Sequence, residues 1–411
     1  MADARRPPVG GESGAGLKGS VRLPVGIWVL GLVSLLMDIS SELIHSLLPV
    51  FLATVLGVSM VAIGVIEGIA EGVAAITKVF SGVISDYFGK RKIPAVAGYA
   101  LSALTKPVFP LASTVGWVFG ARFVDRLGKG IRGAPRDALV ADITPVELRG
   151  AAYGLRQALD SVGAFVGPLL AIGLMYWFAN DIRAVFWVAV IPAFLAVSLL
   201  IVGVREPGDG GRTTPSRSDL RLRDARRLTR RYWLVVAMGA LFSLARFSEA
   251  FLVLRALDIG IGVGHVPVIM VIMNVTYSLF AYPAGAAADR LPARKLLILG
   301  LGVLVAADFV LALCASPAGA LVGAALWGLH MALTQGLLSK LVADTAPVEL
   351  RGSAFGIFNL VSGLALMLAS TIAGYLWSTI GASATFLAGA LFAALTASGL
   401  LLFRTGARRG G

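Results

Sequence analysis

The residues of this sequence that could do chemistry are charges set inside long apolar runs. Asp38, Glu42 and His45 follow at spacings of four and three, which places them on one face of a helix. Glu67 and Glu71 are again four apart, with Lys78 further along the same run. Arg122, Asp125, Arg126 and Lys129 share a face of another run, followed by Arg132 and Arg136. Arg156 with Asp160, Arg246 with Glu249, Lys106, Asp308 and His330 complete the set. A charge at mid-membrane is costly and faces protein or water, so such residues mark a pathway or a proton relay. Acids and bases nearly balance over the first, second, fourth and fifth runs, which fits a paired network. Buried pairs add little net stability, and carboxylates stacked on one face disfavour being ionised together. Proton binding is therefore expected among Asp38, Glu42, Glu67 and Glu71. A substrate cavity is expected around His45, Arg122, Asp125, Arg126, Lys129, Arg156, Asp160, Arg246, Glu249 and His330. Its balanced charge leaves cations, anions and zwitterions all open.

Other chemistries find little support. His45 beside Asp38 and Glu42 could hold a divalent ion. However, the chain has only three histidines and its acids are matched by bases, so no metal site is expected. No phosphate loop, zinc motif or nucleophile elbow is present, and Gly128-Lys129-Gly130 lies inside a helical run. No enzyme activity and no cofactor are expected. The single cysteine, Cys314, excludes an internal disulfide.

The elements that must position these charges are membrane helices. The 411 residues are 57% apolar and only 14% charged, where a soluble domain carries about a quarter of its residues as charges. About 20 apolar residues cross the hydrocarbon core. Hydropathy predicts twelve such spans, at 24–54, 60–84, 93–112, 115–140, 151–178, 185–204, 233–257, 266–288, 295–314, 318–342, 353–377 and 384–403. Residues 1–23 form a polar tail, 205–232 a basic linker and 405–411 a second tail, leaving bundles at 24–204 and 233–404. The net charge of +13 is explained by topology rather than by nucleic acid. Lys90, Arg91, Lys92, Arg149, Arg290, Arg294, Lys295, Arg351 and the arginines of the linker all fall in even-numbered gaps, whereas the odd gaps hold little beyond Arg183. By the positive-inside rule both termini and the linker are cytoplasmic. Residues 220–231 read equally as a helix on anionic lipid or as a solvated linker.

The two halves repeat. Val140–Gly154 matches Val342–Gly356 at an offset of 202, and Gly82-x-x-x-Asp86 with Arg91-Lys92 matches Gly285-x-x-x-Asp289 with Arg294-Lys295 at an offset of 203. Six spans per half make the halves parallel, related by an axis along the membrane normal. The stretch Gly82-x-x-x-Asp86-x-x-Gly89-Lys90-Arg91-Lys92 resembles the loop 2–3 signature of the major facilitator superfamily. Its second copy departs at Pro292. The resemblance implies an all-α, polytopic membrane protein: twelve transmembrane helices in two pseudo-symmetric six-helix bundles, with spans 1, 4, 7 and 10 lining a cavity. That favours Asp38 and Glu42 as the coupling acids.

The resemblance also implies gating. Asp86 would face the N-terminal end of span 11 near Gly352 and Ser353, where the helix dipole is positive. Asp289 would mirror it against span 5 near Gly150 and Ala151. Gly82, Arg91, Gly285 and Arg294 belong to the same device. Gly163-x-x-x-Gly167-Pro168 on span 5 resembles the family's antiporter signature. The whole implies a monomeric secondary transporter of the cytoplasmic membrane, moving a small molecule against protons, most simply outward. An importer or uniporter of an organic ion, a divalent-metal transporter, and a sensor without transport are the rivals. The last would gain by losing its mid-membrane charges.

Overall fold

The computed structural model describes residues 23–88, 90–205, 228–347 and 350–402, with the side chains of residues 82–88, 289, 351 and 352 outside the description. Twelve crossing helices follow in order. They are α1 (Val25–His45), α2 (Met60–Phe88), α3 (Lys92–Thr105), α4 (Val115–Ile143), α5 (Arg149–Trp177) and α6 (Ile182–Gly203) in the first half. The second half holds α7 (Arg230–Ala245, resuming at Ala250–Asp258), α8 (Val268–Arg290), α9 (Ala293–Leu313), α10 (Pro317–Thr334, resuming at Leu337–Thr345), α11 (Arg351–Thr379) and α12 (Ala382–Leu402). Ten of these crossings are long and apolar enough to span a membrane by composition alone. The other two are α3 and α4. Lys106-Pro107 stops α3 after 14 residues, and α4 carries the dense row of charges.

Residues such as Trp28, Trp117, Tyr176, Trp177, Tyr282 and Leu402 stand exposed on the outside. An apolar exterior of this extent belongs against lipid rather than water. In each half the first helix packs on the fifth and sixth, the second on the fourth, and the third on the fourth and sixth. Lys92 Nζ donates to Ile201 O (2.7 Å) and Arg294 Nη2 to Leu401 O (2.6 Å), tying α3 to α6 and α9 to α12 in the same way. These contacts pair Lys92 with Arg294, one residue out of the register that the sequence repeat suggested.

The halves meet through α2 on α11 and, less closely, α5 on α8. Gly64, Gly68 and Gly72 on α2 lie against the α11 backbone at Ser370, Met367 and Gly363, leaving no room for a Cβ at the first two. Small residues at this spacing let membrane helices approach to backbone contact. Asn274 Nδ2 of α8 donates to Ala164 O of α5 (2.8 Å). These approaches lie at mid-membrane or in the half away from the linker. At the linker end, Gly150 and Gly154 of α5 and Gly285 of α8 face open space.

The sequence spans needed correction at their breaks. Four of them are interrupted: α1 beyond His45, α3 at Lys106-Pro107, α7 at Arg246–Ser248 and α10 at Gln335-Gly336, where Gly336 has φ 72°. The α7 break contains neither glycine nor proline. One tertiary and one local hydrogen bond stabilise it: the Ser248 N–H donates to Ser370 Oγ (3.0 Å), and the Ala250 N–H to Ser248 Oγ (3.2 Å).

Candidate functional site

A cavity of about 260 Å³ lies between the halves. Helix α1 lines it with Glu42 and His45, α2 with Glu67 and Glu71, and α4 with Arg122, Arg126 and Lys129. From the other half come the whole of the α7 break, Arg246 to Glu249, and Trp327 of α10. The 3.6-residue period places Arg122, Arg126 and Lys129 in one stripe, so α4 presents a row of cations along the wall.

Most of these charges are paired. Arg122 grips Glu67 with two bonds, Nε to Oε1 (3.2 Å) and Nη2 to Oε2 (2.6 Å), both side chains being almost fully buried. Ser248 Oγ at the α7 break donates to the same Glu67 Oε2 (3.2 Å), so this pair bridges the two halves. Planar fork-on-carboxylate geometry of this kind is the strongest form of ion pair. Arg126 Nη2 lies 3.6 Å from Glu71 Oε1 and 2.9 Å from His45 Nδ1. A guanidinium against His45 works against binding a divalent cation there, because like charges would share the site. Behind α4, Lys106 Nζ meets Asp125 Oδ1 (3.0 Å) and Ser41 Oγ (3.2 Å). On the linker side, Arg156 bonds Asp160 Oδ2 (2.5 Å) and approaches Asp137 (3.7 Å), which also holds Arg136 (3.2 Å).

Two acids stand apart. Glu42 has only the weak 3.8 Å approach of His45, and its Oε2 is buried without a hydrogen-bond partner. Asp38 makes no ion pair among the described residues. Both sit where α5 comes closest to α1. A Cβ on Gly163 would lie 2.9 Å from Asp38 Cβ, and one on Gly167 would lie 2.6 Å from Glu42 Cβ. The two glycines are thus the seats of the two unpaired acids, and Pro168 follows within the continuous helix. Lys129, Arg246 and Glu249 are also without an ion pair among the described residues. Arg246 lies over the Phe242 ring at 5.7 Å.

The structure gathers Glu42, His45, Glu67, Glu71, Arg122, Arg126, Lys129, Arg246 and Glu249 at the cavity. It places the other expected residues off its lining. Asp125 turns to Lys106 between α3 and α4, Arg156 and Asp160 pair along α5, and Asp38 faces the α5 glycines. His330 is fully buried against Gly300 O of α9 (2.8 Å). Of the expected gating set, Arg91 meets Asp142 Oδ2 (3.5 Å) and Arg294 caps α12. The side chains of Gly82, Asp86 and Asp289 lie outside those described, as do the tails and residues 206–227 of the linker. Reading the sequence missed Ser41, Asp137 and Ser248 as partners. Asp137 gave no pairing signal, since it is adjacent to Arg136 and lies on a different helix from Arg156. The two serines carried no signal, because serine is common in membrane helices as a packing residue.

Two parallel six-helix bundles, closed over a charged central cavity with a helix broken at its wall, define a membrane transporter. The family model of the Major Facilitator Superfamily matches residues 30–257 and 247–410, and the chain belongs to that superfamily. An uncharacterized MFS-type transporter of Methanocaldococcus jannaschii is 32% identical over 389 residues, covering 92% of this chain and 94% of that one. The multidrug resistance protein MdtH of Yersinia enterocolitica is 27% identical over 172 residues, 42% of each chain. In fold, the chain is similar to the crystal structure of the nucleoside transporter NupG, with a TM-score of 0.76 at 14% identity, over 92% of this chain and 99% of that one.

Proposed function

We propose that this transporter is a proton-driven exporter of small molecules in the cytoplasmic membrane, with Asp38 and Glu42 carrying the proton. The observation that supports it most is the contrast between paired and unpaired acids. Glu67 and Asp125 are neutralised by Arg122 and Lys106, whereas among the described residues neither Asp38 nor Glu42 makes a direct ion pair with an arginine or lysine. A carboxylate in that position can take up and release a proton as its surroundings change. The proton drives transport only if it binds one state of the cycle better than the other. Helix α5, whose Gly163 and Gly167 seat both acids, also touches the second half at Asn274. This contact supports a link between protonation and the movement of the halves.

The moving units are residues 24–204 and 233–404, joined by the linker at 205–232, with the linker and both termini in the cytoplasm and the protein acting as a monomer. Outward transport draws on the Gly163-x-x-x-Gly167-Pro168 motif and on the name of the partial relative, a multidrug resistance protein. The close approaches at mid-membrane and away from the linker, with open space at Gly150, Gly154 and Gly285, fit a state open to the cytoplasm. The test is flux in proteoliposomes with and without a pH gradient. Asp38→Asn and Glu42→Gln are expected to lose gradient-driven accumulation while retaining exchange. Accumulation that persists in both variants would place the coupling site elsewhere.

A further inference from the structure

The second half holds a carboxylate that this mechanism does not use. Asp308, on α9, has no exposed surface, and neither carboxylate oxygen has a hydrogen-bond partner. Among the described residues, the groups packed around it offer no counter-charge. Helix α12 contributes Gly389, whose absent Cβ would lie 2.7 Å from Asp308 Oδ2. Neither α12 (Ala382–Leu402) nor the described side chains of α11 contain a charge. On α10, Trp327 leaves Nε1 unpartnered and His330 is bonded to Gly300 O. On α7, Arg246 lies over Phe242, and Arg255 spends Nε on Leu311 O (2.9 Å) and Nη1 on Asp258 (2.6 Å). An isolated ionised carboxylate in such packing is prohibitive, which makes Asp308 a candidate to hold a proton.

Phe247 touches both the cavity and the packing around Asp308. Phe247 and Trp327 line the cavity, and their rings are 5.4 Å apart. The same Phe247 meets the Gly389 position from the other side, at 2.9 Å from its absent Cβ. Phe247 does not sit on a rigid helix. It lies in the α7 break, held by the Ser248–Ser370 bond and linked to the first half through Ser248 and Glu67.

We propose that Asp308 is a second proton-binding site, sealed by Phe247 in this conformation and opened to the cavity when the two halves rock and the α7 break moves. The site rests on alternating access by this fold and not on Asp38 and Glu42. The sealed conformer holds one proton that the opened conformer releases. Raising the pH above the opened site's range therefore favours the opened conformer, at about tenfold per pH unit for one linked proton.

The test uses the full chain in nanodiscs, without substrate, with spin labels reporting the separation of the two halves. In the Asp38→Asn/Glu42→Gln background the proposed coupling acids cannot titrate. The pH dependence that remains in the conformer ratio is expected to vanish when Asp308→Asn is added. A pH dependence unchanged by Asp308→Asn makes the buried acid a permanently protonated packing group and overturns the proposal. Should no pH dependence remain in the double variant itself, the proposal is also overturned, while the Asp38 and Glu42 reading stands. As a second readout, the apolar carbodiimide dicyclohexylcarbodiimide, whose nitrogen takes the proton of a carboxylic acid while the carboxyl oxygen adds to its central carbon, should modify Asp308 faster in Phe247→Ala than in the wild type. Equal rates would show that Phe247 is not the seal.

Discussion

Adding one methyl group to α5 tests the link between the glycine motif and the unpaired acids. In Gly167→Ala the new Cβ would fall 2.6 Å from Glu42 Cβ, 3.1 Å from Ile39 O and 3.3 Å from Leu43 N. Carbon atoms settle at about 3.5–4.0 Å, so the two helices must part locally by about 1 Å. None of the three atoms is the free end of a side chain, so no rotamer change relieves the contact. Overpacking of this kind costs about 1–3 kcal/mol. The helix preference of alanine over glycine returns up to about 1 kcal/mol. Gly173→Ala is the internal control, because it lies on the same helix with nothing within 4 Å of its absent Cβ. It should be neutral or mildly stabilising. The assay is unfolding of both purified variants in one detergent, followed by proton-driven flux in proteoliposomes. Gly167→Ala is expected to be less stable than Gly173→Ala and to lose flux, because Glu42 is displaced with α1. Equal stability and equal flux in the two variants would refute the idea that the motif exists to seat α1 and its acids.

Other outcomes follow from the same geometry. Glu67→Gln should destabilise the protein by about 3–5 kcal/mol, by leaving Arg122 buried and unpaired, whereas Glu67→Gln/Arg122→Met should cost less; comparative denaturation checks the order. Cys314, exposed at the C-terminal end of α9, lies at the opposite membrane face from the linker, so an impermeant maleimide added to intact cells should label it. Labelling only after permeabilisation would invert the proposed topology. Asp86→Asn and Asp289→Asn should each impair transport with little loss of folding, as read by flux and thermal stability; normal flux in both would remove them from gating.

Much of the architecture was written in the chain. Burying apolar helices in lipid needs no partner information, so length and hydropathy located twelve crossings, and the repeat at 202–203 residues paired the halves. Helical spacing likewise placed the α4 cations on one stripe and Asp38, Glu42 and His45 on one face. What one dimension could not carry was which charge answers which. Arg122 could have met Glu67, Glu71 or Asp125 from its spacing alone, and only the crossing of α2 with α4 assigns it to Glu67. Lys106 had no partner assigned by sequence, and the packing of α3 against α4 brings it to Asp125. The α7 break had no glycine or proline to announce it, because the bonds that replace its lost helical ones come from Ser370 on another helix and from its own Ser248. Glu42 and Asp38 look no different in sequence from Glu67. They differ in that no arginine or lysine makes a direct ion pair with either among the described residues, while glycines of α5 pack on their Cβ atoms, and that is decided where helices touch.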